Sequence, residues 1–237
     1  MEARQLCTKA ELGLEMILKA KKRGIPFEFV GMDAHYGGQP WLLTQLEGNG
    51  VVDVVYVADI TCNIRVYLEY PEVGVSERDG NRGRLPSKLK VLQGEPFEVR
   101  QLLSSDKTAW HILKVRDTQR GELWIRFSAL RLWRVEDGIP CSQPVWLLIR
   151  QELDGSDTKF SFSNAGDSTP IEILTEWQSR RYFVERSLQD AKGLEGLMNI
   201  RLRAGGDGII TLRWCFWPCY FCFTSNEDLL PRLQCSP

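Results

Sequence analysis

Two carboxylates that are far apart in the sequence have the residue type and the setting of metal ligands. Asp33 follows the apolar segment PFEFVGM, which is predicted to form a short strand, and α/β sheets place ligand and metal sites at strand ends. Glu185 lies in a segment with strong helical periodicity. Carboxylate oxygens are the ligands that Mg²⁺ prefers, and such ions stabilise the attacking and leaving oxygens of a phosphoryl transfer. The pair therefore suits metal-dependent phosphoryl transfer.

Basic residues flank Glu185 on the predicted helix. Arg181 lies one turn before it and Lys192 lies seven residues after it, so the three side chains share one helix face. Cations in this position would contact DNA phosphates close to a bound metal ion. On the residues alone, a turn aspartate and a solvated ladder of ion pairs are the more frequent explanations of this pattern.

An alternation of helices and strands surrounds Asp33. Residues 8–23 are predicted to form an amphipathic helix, with Thr8 in a capping box. A turn with the sequence HYGG follows Asp33, and a short helix over about 39–47 leads into the β-branched run VVDVVYVADI. This order predicts an α/β layer with parallel strands.

The next hundred residues have a different pattern. Short alternating segments between Gly, Asp, Ser and Pro turns predict an antiparallel, β-rich insert over 61–165 that folds on its own. A long helix over 169–197 follows it, with Thr169 as the cap and Pro170 as the first helical residue. The tryptophans of the insert are expected in its core; they are Trp110, Trp124, Trp133 and Trp146.

Two strings, FEFVGMDAHYGGQPWLL and RRYFVERSLQDAKGLEGL, resemble the DDE transposases of bacterial insertion sequences. In that family the first string holds the second catalytic Asp. The second holds the catalytic Glu within a pattern of Tyr, Arg, Glu and Lys. The resemblance implies that Asp33 and Glu185 are catalytic residues and metal ligands. It places Arg181 and Lys192 at the Arg and Lys positions of this pattern. The Tyr position is occupied by Gln178.

The resemblance covers about residues 8–197 and implies an RNase H-like fold of the α/β class. It implies an enzyme that cuts DNA at transposon ends and joins the freed 3′ hydroxyl to target DNA, with two Mg²⁺ or Mn²⁺ ions held by Asp, Asp and Glu. DNA is then the partner, together with a dimer formed with other transposase copies. The expected DNA contacts are Arg181, Lys192, Arg180 and His35.

The first catalytic Asp of the family lies on a strand upstream of the first helix seen here. We therefore expect an incomplete RNase H-like domain that does not cleave DNA by itself. Asp53 and Asp59, which flank the later strand, are predicted to be poor substitutes. The strand that ends at Asp33 would also keep an unpaired apolar edge. The expected organisation is a partial core over 1–60, the β-rich insert over 61–165, the catalytic-Glu helix over 166–197 and an aberrant tail over 198–237.

The tail fits no preceding pattern and holds four of the seven cysteines. One nucleotide inserted after the Leu197 codon would let the following codons encode an apolar segment with Trp and His, as in the family. We therefore hypothesise that residues 198–237 are a frameshift product, which the nucleotide sequence of the gene would test. The spacing of Cys215, Cys219 and Cys222 matches no zinc-binding pattern, so we do not expect a metal site there.

The composition limits the functional classes only weakly. The net charge of -1 lacks the basic excess of a dedicated DNA-binding protein, so DNA contacts must come from local patches. The sequence shows neither a signal peptide nor a long apolar segment, and its odd number of cysteines fits a reducing compartment, so we expect a cytoplasmic protein. Two alternatives stay open: a non-catalytic remnant that binds DNA or transposase, and an unrelated β-rich interaction protein.

Overall fold

The computed structural model describes residues 7–47, 53–76, 87–118 and 121–180. It also describes the backbone of three short strands in the tail. These are β12 (Ile200–Arg203), β13 (Ile209–Leu212) and β14 (Cys222–Phe223).

Helix α1 (Lys9–Lys22) begins and ends where the sequence predicts. The Thr8 hydroxyl accepts a hydrogen bond from the Glu11 backbone N–H at 3.3 Å, and the Glu11 carboxylate accepts one from the Thr8 N–H at 2.6 Å. This capping box satisfies two backbone donors that the first turn leaves open. At the other end Gly24 has a φ of +68°, a left-handed conformation that turns the chain out of the helix.

The predicted parallel pair of strands is confirmed. Strand β1 (Val30–Met32) lies parallel to β2 (Tyr56–Ile60), and the register pairs Gly31 with Val57. Two helices connect them. Helix α3 (Pro40–Leu46) matches the predicted one, whereas the predicted HYGG turn forms the one-turn helix α2 (Ala34–Gly37).

Most of the region between β2 and the last helix consists of strands, and every pairing described among them is antiparallel. One of the short alternating segments that predict strands, FEVRQLL, forms a strand only at Phe97–Glu98, and Val99–Ser104 form a 3₁₀-helix that begins with a Glu98–Gln101 capping box. The strands are β3 (Arg65–Tyr67), β4 (Glu72–Val75), β5 (Leu89–Gln93), β6 (Phe97–Glu98), β7 (His111–Thr118), β8 (Gly121–Glu136), β9 (Ile139–Pro140), β10 (Val145–Glu152) and β11 (Thr158–Ser163).

The β-rich region shares its main sheet with the parallel pair, so the expectation of an insert that folds on its own is wrong. The described strand order is β14-β1-β2-β11-β10-β8-β3-β6, with β7 and β9 also paired to β8. Strand β11 pairs antiparallel with β2, and Phe162 lies opposite Ala58. Beyond this pairing, the Asn164 side chain accepts from the Tyr56 N–H at 2.8 Å and donates to the Val54 carbonyl at 2.9 Å. These bonds join the two regions into one sheet.

Helices cover both faces of this sheet. One apolar cluster combines alternate sheet residues with α1, α3 and the 3₁₀-helix. The other combines the opposite sheet face with α4, whose described part covers residues 171–180. Helix α4 begins one residue later than predicted, since Pro170 accepts the first helical hydrogen bond, from Leu174. Buried residues of the first face include Ile17, Met32, Leu43 and Leu147; those of the second include Phe29, Val57, Phe127 and Leu148.

The insert tryptophans are only partly in the core. Trp110 and Trp146 pack against the two apolar clusters, but neither is fully buried, and Trp124 is 40% exposed. The guanidinium carbon of Arg126 lies 4.7 Å from the Trp110 ring centroid, and Arg131 lies 5.2 Å from that of Trp146. These rings therefore combine apolar packing with cation–π contacts at the sheet surface.

The outer edge of β1 is paired along two residues. Strand β14 lies antiparallel to β1, with Val30 opposite Phe223 and Gly31 opposite Cys222. The expectation of an unpaired edge at this strand is therefore wrong at these positions. The tail strands β12 and β13 pair with each other in a separate antiparallel hairpin.

A buried ion pair connects α3, β2 and β8 on the first face. The Arg134 Nη2 donates to both carboxylate oxygens of Glu47, at 2.8 and 2.9 Å, and the Tyr56 hydroxyl donates to the same carboxylate at 2.5 Å. The side chains of Arg134 and Glu47 are 3% and 8% exposed. Burial raises the pKa of Tyr56 well above its ordinary value, against the opposing charge of Arg134. Removing one partner of such a pair is strongly destabilising, because it leaves an uncompensated buried charge.

We expect Arg134→Met to lower the free energy of unfolding by about 3–5 kcal/mol, because it leaves the Glu47 carboxylate buried without its cation. Chemical denaturation of the full chain measures this loss. Lys19→Met is the matched control: it breaks a pair with Glu15 that is 59% and 52% exposed, and should change stability by no more than about 0.5 kcal/mol. Equal losses in both variants would contradict this role of burial.

Cys141 borders the same group and should be a slow nucleophile. Burial raises its pKa to about 11, with the Arg134 charge opposing the shift. Because the thiolate is the reactive form, alkylation by iodoacetamide at pH 8 should be much slower at Cys141 than at the exposed Cys62. The Cys141 rate should rise with pH, roughly tenfold per unit, until about pH 11. Peptide mapping by mass spectrometry gives both rates, and similar rates at pH 8 would contradict the assignment.

Candidate active site

Asp33 is held rigidly at the carboxyl end of β1. It caps helix α2, because its Oδ1 accepts hydrogen bonds from the backbone N–H groups of His35 at 3.0 Å and Tyr36 at 3.3 Å. The side chain is half-buried. Both bonds use one oxygen of the carboxylate, which leaves Oδ2 outside the cap. The predicted position at a strand end is therefore observed.

A second carboxylate, Asp59, lies beside Asp33. The parallel register pairs Met32 with Ala58, and an aspartate follows each of them: Asp33 directly after β1, and Asp59 within β2. Helix α2 packs closely over this point: a side chain at Gly37 would overlap the backbone carbonyl oxygen of Asp59. Glycine at this position is what allows α2 to approach β2 and to hold Asp33 next to Asp59.

Replacing Gly37 by Ala should displace α2 from β2 and destabilise the chain by about 1–3 kcal/mol. Denaturant unfolding measures the change. The control is Gly166→Ala, whose added Cβ would lie 3.9 Å from the Thr169 hydroxyl, an ordinary contact distance. That variant should stay within about 0.5 kcal/mol of the wild type. An equally small change in the free energy of unfolding for Gly37→Ala would contradict the role of glycine in the close approach of α2 to β2.

A hydrogen-bond chain connects Asp59 to helix α4. The Ser161 hydroxyl donates to Asp59 Oδ1 at 2.7 Å, and the Gln178 amide Nε2 donates to the Ser161 oxygen at 2.8 Å. Ser161 and Gln178 are both buried. The Gln178 Oε1 is also buried and has no hydrogen-bond partner within the part of the chain that the structure describes. Gln178 is the residue at the Tyr position of the sequence pattern, and here it faces the sheet.

Helix α4 packs on the same sheet face through its aromatic and aliphatic residues. Trp177 stacks on Phe29 with ring centroids 5.1 Å apart. Arg180, a predicted DNA contact, forms an ion pair with Glu176 one turn earlier, and both side chains are partly exposed. Three other predicted site residues lie outside the described residues; they are Arg181, Glu185 and Lys192. The meeting of Asp33 with Glu185 therefore stays a prediction.

His35 lies on the surface beside Asp33. Its ring contacts that of Tyr36 edge-on, with centroids 5.3 Å apart. It borders an open cleft of about 320 Å³ that is also lined by Lys9 and Trp41, and Trp41 is 45% exposed. A cation, an imidazole and an exposed indole in one cleft are groups that contact nucleic acid phosphates and bases.

The donor set at the strand end has the right chemistry for a hard divalent cation. Asp33 and Asp59 follow the paired residues Met32 and Ala58 of two parallel strands, and the α2 cap orients the Asp33 carboxylate. Within the described residues, however, no group of three or more His, Cys, Asp or Glu side chains could hold a metal ion. Glu185, the predicted second metal ligand, lies outside the described residues.

A protein-family model described as DDE superfamily endonuclease matches residues 2–122, about half of the chain. The match contains α1, Asp33 and β2. The chain belongs to this family of endonucleases. No curated protein matches the sequence.

Membership of the DDE endonucleases agrees with the architecture, since a mixed α/β structure with a large, mostly antiparallel sheet is consistent with an RNase H-like fold. The family acts on DNA and generally uses a divalent metal ion. None of the helices in the described part of this endonuclease has the length and apolar character needed to cross a membrane. The family match ends at residue 122, before α4, so it does not extend to Glu185.

The role of Ser161 was not predicted from the sequence. Strand β11 alternates Phe and Ser, and both its phenylalanines and its serines are buried. A hydroxyl on a buried sheet face needs a polar partner, so this alternation was the available signal. The partner itself, Gln178, is on a different element and could not be read from local sequence.

Proposed function

We propose that this DDE endonuclease is related to the insertion-sequence transposases, whose activity is metal-dependent cleavage and strand transfer of DNA, and that Asp33 and Glu185 are its metal ligands. The observation that carries the proposal is the placement of Asp33. Its carboxylate is fixed by the α2 cap at the carboxyl end of the parallel pair β1–β2. Helix α4, which precedes Glu185 in the sequence, is bonded through Gln178 and Ser161 to Asp59 of β2.

In this proposal a bound Mg²⁺ or Mn²⁺ supplies charge stabilisation at the scissile phosphate. The residues of the chain hold and orient that ion and the DNA. Asp33 has one oxygen committed to the α2 cap, which fixes its carboxylate plane before any ligand binds. Such preorganisation lowers the cost of binding in the productive geometry.

The DNA backbone would be bound by cationic and polar side chains around these carboxylates. Arg181 and Lys192 are proposed for this role from the sequence pattern, and His35 from its position at the cleft beside Asp33. Arg180 is proposed as a fourth contact. Its ion pair with Glu176 is partly exposed, and surface pairs of this kind contribute little stability, so a phosphate can replace the carboxylate.

The proposal assigns two carboxylates of the three that the family chemistry uses, so we propose that the chain binds a divalent ion but does not nick DNA by itself. We also propose that the Tyr-Arg-Glu-Lys pattern has Gln178 in place of its Tyr, and that residues 198–237 come from a shifted reading frame. Cytoplasmic location and dimerisation with transposase copies are parts of the same proposal.

Metal binding tests the carboxylate assignment directly. We expect the full chain to bind Mn²⁺, and Asp33→Asn and Glu185→Gln each to weaken binding at least about tenfold, because each removes a charged ligand. The control is Asp154→Asn, which neutralises an exposed turn aspartate and should leave the affinity unchanged. Calorimetric titration with Mn²⁺ gives the affinities. Unchanged binding in both site variants would overturn the assignment.

A plasmid-nicking assay with Mg²⁺ or Mn²⁺ tests the inactivity of the isolated chain. Nicking that Glu185→Ala abolishes would contradict inactivity and support the catalytic assignment. DNA-binding affinity measured at several salt concentrations tests the non-catalytic alternative. Salt-sensitive binding without metal binding would favour the non-catalytic, DNA-binding alternative.

A further inference from the structure

The cleft beside Asp33 lies where the first turn of α1 meets α2 and the start of α3. It has a volume of about 320 Å³, and every residue that lines it except Ala10 is exposed. His35 forms part of its wall, and the backbone N–H of this residue donates to Asp33 Oδ1 at 3.0 Å. The cleft is therefore open to solvent and directly adjoins the proposed metal ligand.

Trp41 is a large apolar residue of α3 that stays outside the core. Leu42, Leu43 and Leu46 of the same helix are at most 1% exposed, whereas Trp41 is 45% exposed and lines the cleft. An exposed indole can stack on a nucleic acid base, and it does so with any base because each has a π face. In an intact duplex the base faces are covered by their stacked neighbours, so the ring can reach only a nucleotide that has left the stack.

Lys9 and His35 provide partners for a phosphate in the same cleft. Both side chains are exposed and line it. The Lys9 ammonium carries a positive charge, and the His35 imidazole can donate a hydrogen bond to a phosphate oxygen. A nucleotide joins a flat base to a charged phosphate, and this cleft offers a partner to each part.

Gln39 adds a polar group that the helix does not use. It is the N-cap residue of α3, but its side chain makes no capping hydrogen bond, and it is exposed in the cleft. N-cap positions favour shorter side chains that bond back to the helix, such as Ser, Thr, Asp and Asn. The longer amide of Gln39 can instead donate to and accept from the edge of a base.

The Glu11 carboxylate also lines the cleft, and its charge opposes that of a phosphate. This carboxylate is turned into the capping box, where the Thr8 N–H and hydroxyl donate to Oε2 at 2.6 and 2.9 Å. These backbone and side-chain hydrogen bonds lower the pKa of Glu11, so it stays ionised. Its charge is directed at the positive end of α1, which offsets it. The repulsion of a phosphate at Lys9 is therefore reduced.

We propose that this cleft binds one unpaired nucleotide of the DNA next to Asp33, with its base stacked on Trp41 and its phosphate at Lys9 and His35. The chain would then bind single-stranded DNA more tightly than an intact duplex of the same sequence. The inference rests on the proposed function, in which DNA lies at the Asp33 carboxylate. It needs no bound metal ion, so it can be tested in the absence of one.

Fluorescence anisotropy of the full chain in EDTA tests the proposal, with a labelled single strand and a blunt duplex of the same sequence. Trp41→Leu removes the ring and should weaken binding of the single strand about tenfold, the effect of losing one stacked base, while duplex binding stays nearly unchanged. Lys9→Gln should lower the dependence of log affinity on log salt by about 0.7 for the single strand, because one phosphate contact is lost.

Three further variants keep the test decisive. Trp124→Leu is the matched control, because Trp124 is 40% exposed but lies on β8 and does not line the cleft, so its loss should leave single-strand affinity unchanged. Trp41→Phe keeps a ring that can stack and should retain most of the affinity. If Trp41→Leu does not fold, Gln39→Ala with Lys9→Gln probes the same cleft and should again weaken the single strand more than the duplex.

The possible outcomes separate this inference from the proposed function. Equal weakening of both DNA forms by Trp41→Leu, or of neither, would overturn the nucleotide site, as would an equal loss in Trp124→Leu. None of these results changes the Mn²⁺ affinity of Asp33→Asn, which tests the metal assignment by itself. A strand preference that depends on Trp41 would support the cleft even if Asp33→Asn left Mn²⁺ binding unchanged.

Discussion

The pairing of β2 with β11 is the contact on which the arrangement of the site depends. A pair of short parallel strands cannot bury two faces alone, because isolated two-stranded pairs are marginally stable in water. The antiparallel ladder from β11 through β10 to β8 widens the pair into a sheet that α1 and α3 cover on one side and α4 on the other. The surroundings of Asp33 are fixed because β2, the strand next to β1, is a central strand of that sheet.

Strand β2 carries a buried polar group on one face and a half-buried one on the other. Tyr56 points into the first apolar cluster and bonds to the Glu47–Arg134 ion pair, whereas Asp59 points to the α4 side and bonds to Ser161. The two groups differ in kind. The Tyr56 group contains a full ion pair and joins α3 to the sheet. The Asp59 group consists of one carboxylate and neutral donors, and it joins α4 to the sheet. Stability and site geometry are therefore served by opposite faces of one strand.

The sequence predicts those features that have local causes. The Thr8 capping box, the strand before Asp33 and the parallel pair follow from short-range patterns, and each is observed. Sheet continuity was missed because strand pairing across a hundred residues leaves no local signal. The 3₁₀-helix at Val99–Ser104 was missed because its apolar residues fit a strand equally well. The contact of Gln178 with Ser161 depends on two elements meeting, so neither residue reveals it alone.

The hydrogen bond between Ser161 and Asp59 joins residues that are 102 positions apart. Forming it closes a long loop, and the entropy of that closure must be overcome before the contact contributes any stability. The local pieces around Asp33, namely α1, α2, β1 and β2, are synthesised well before β11, but the β1–β2 pair is only marginally stable until β11 pairs with it. The surroundings of the site are therefore completed late in folding, when the chain has been extended through β11 and α4 and most of the sheet is already in place.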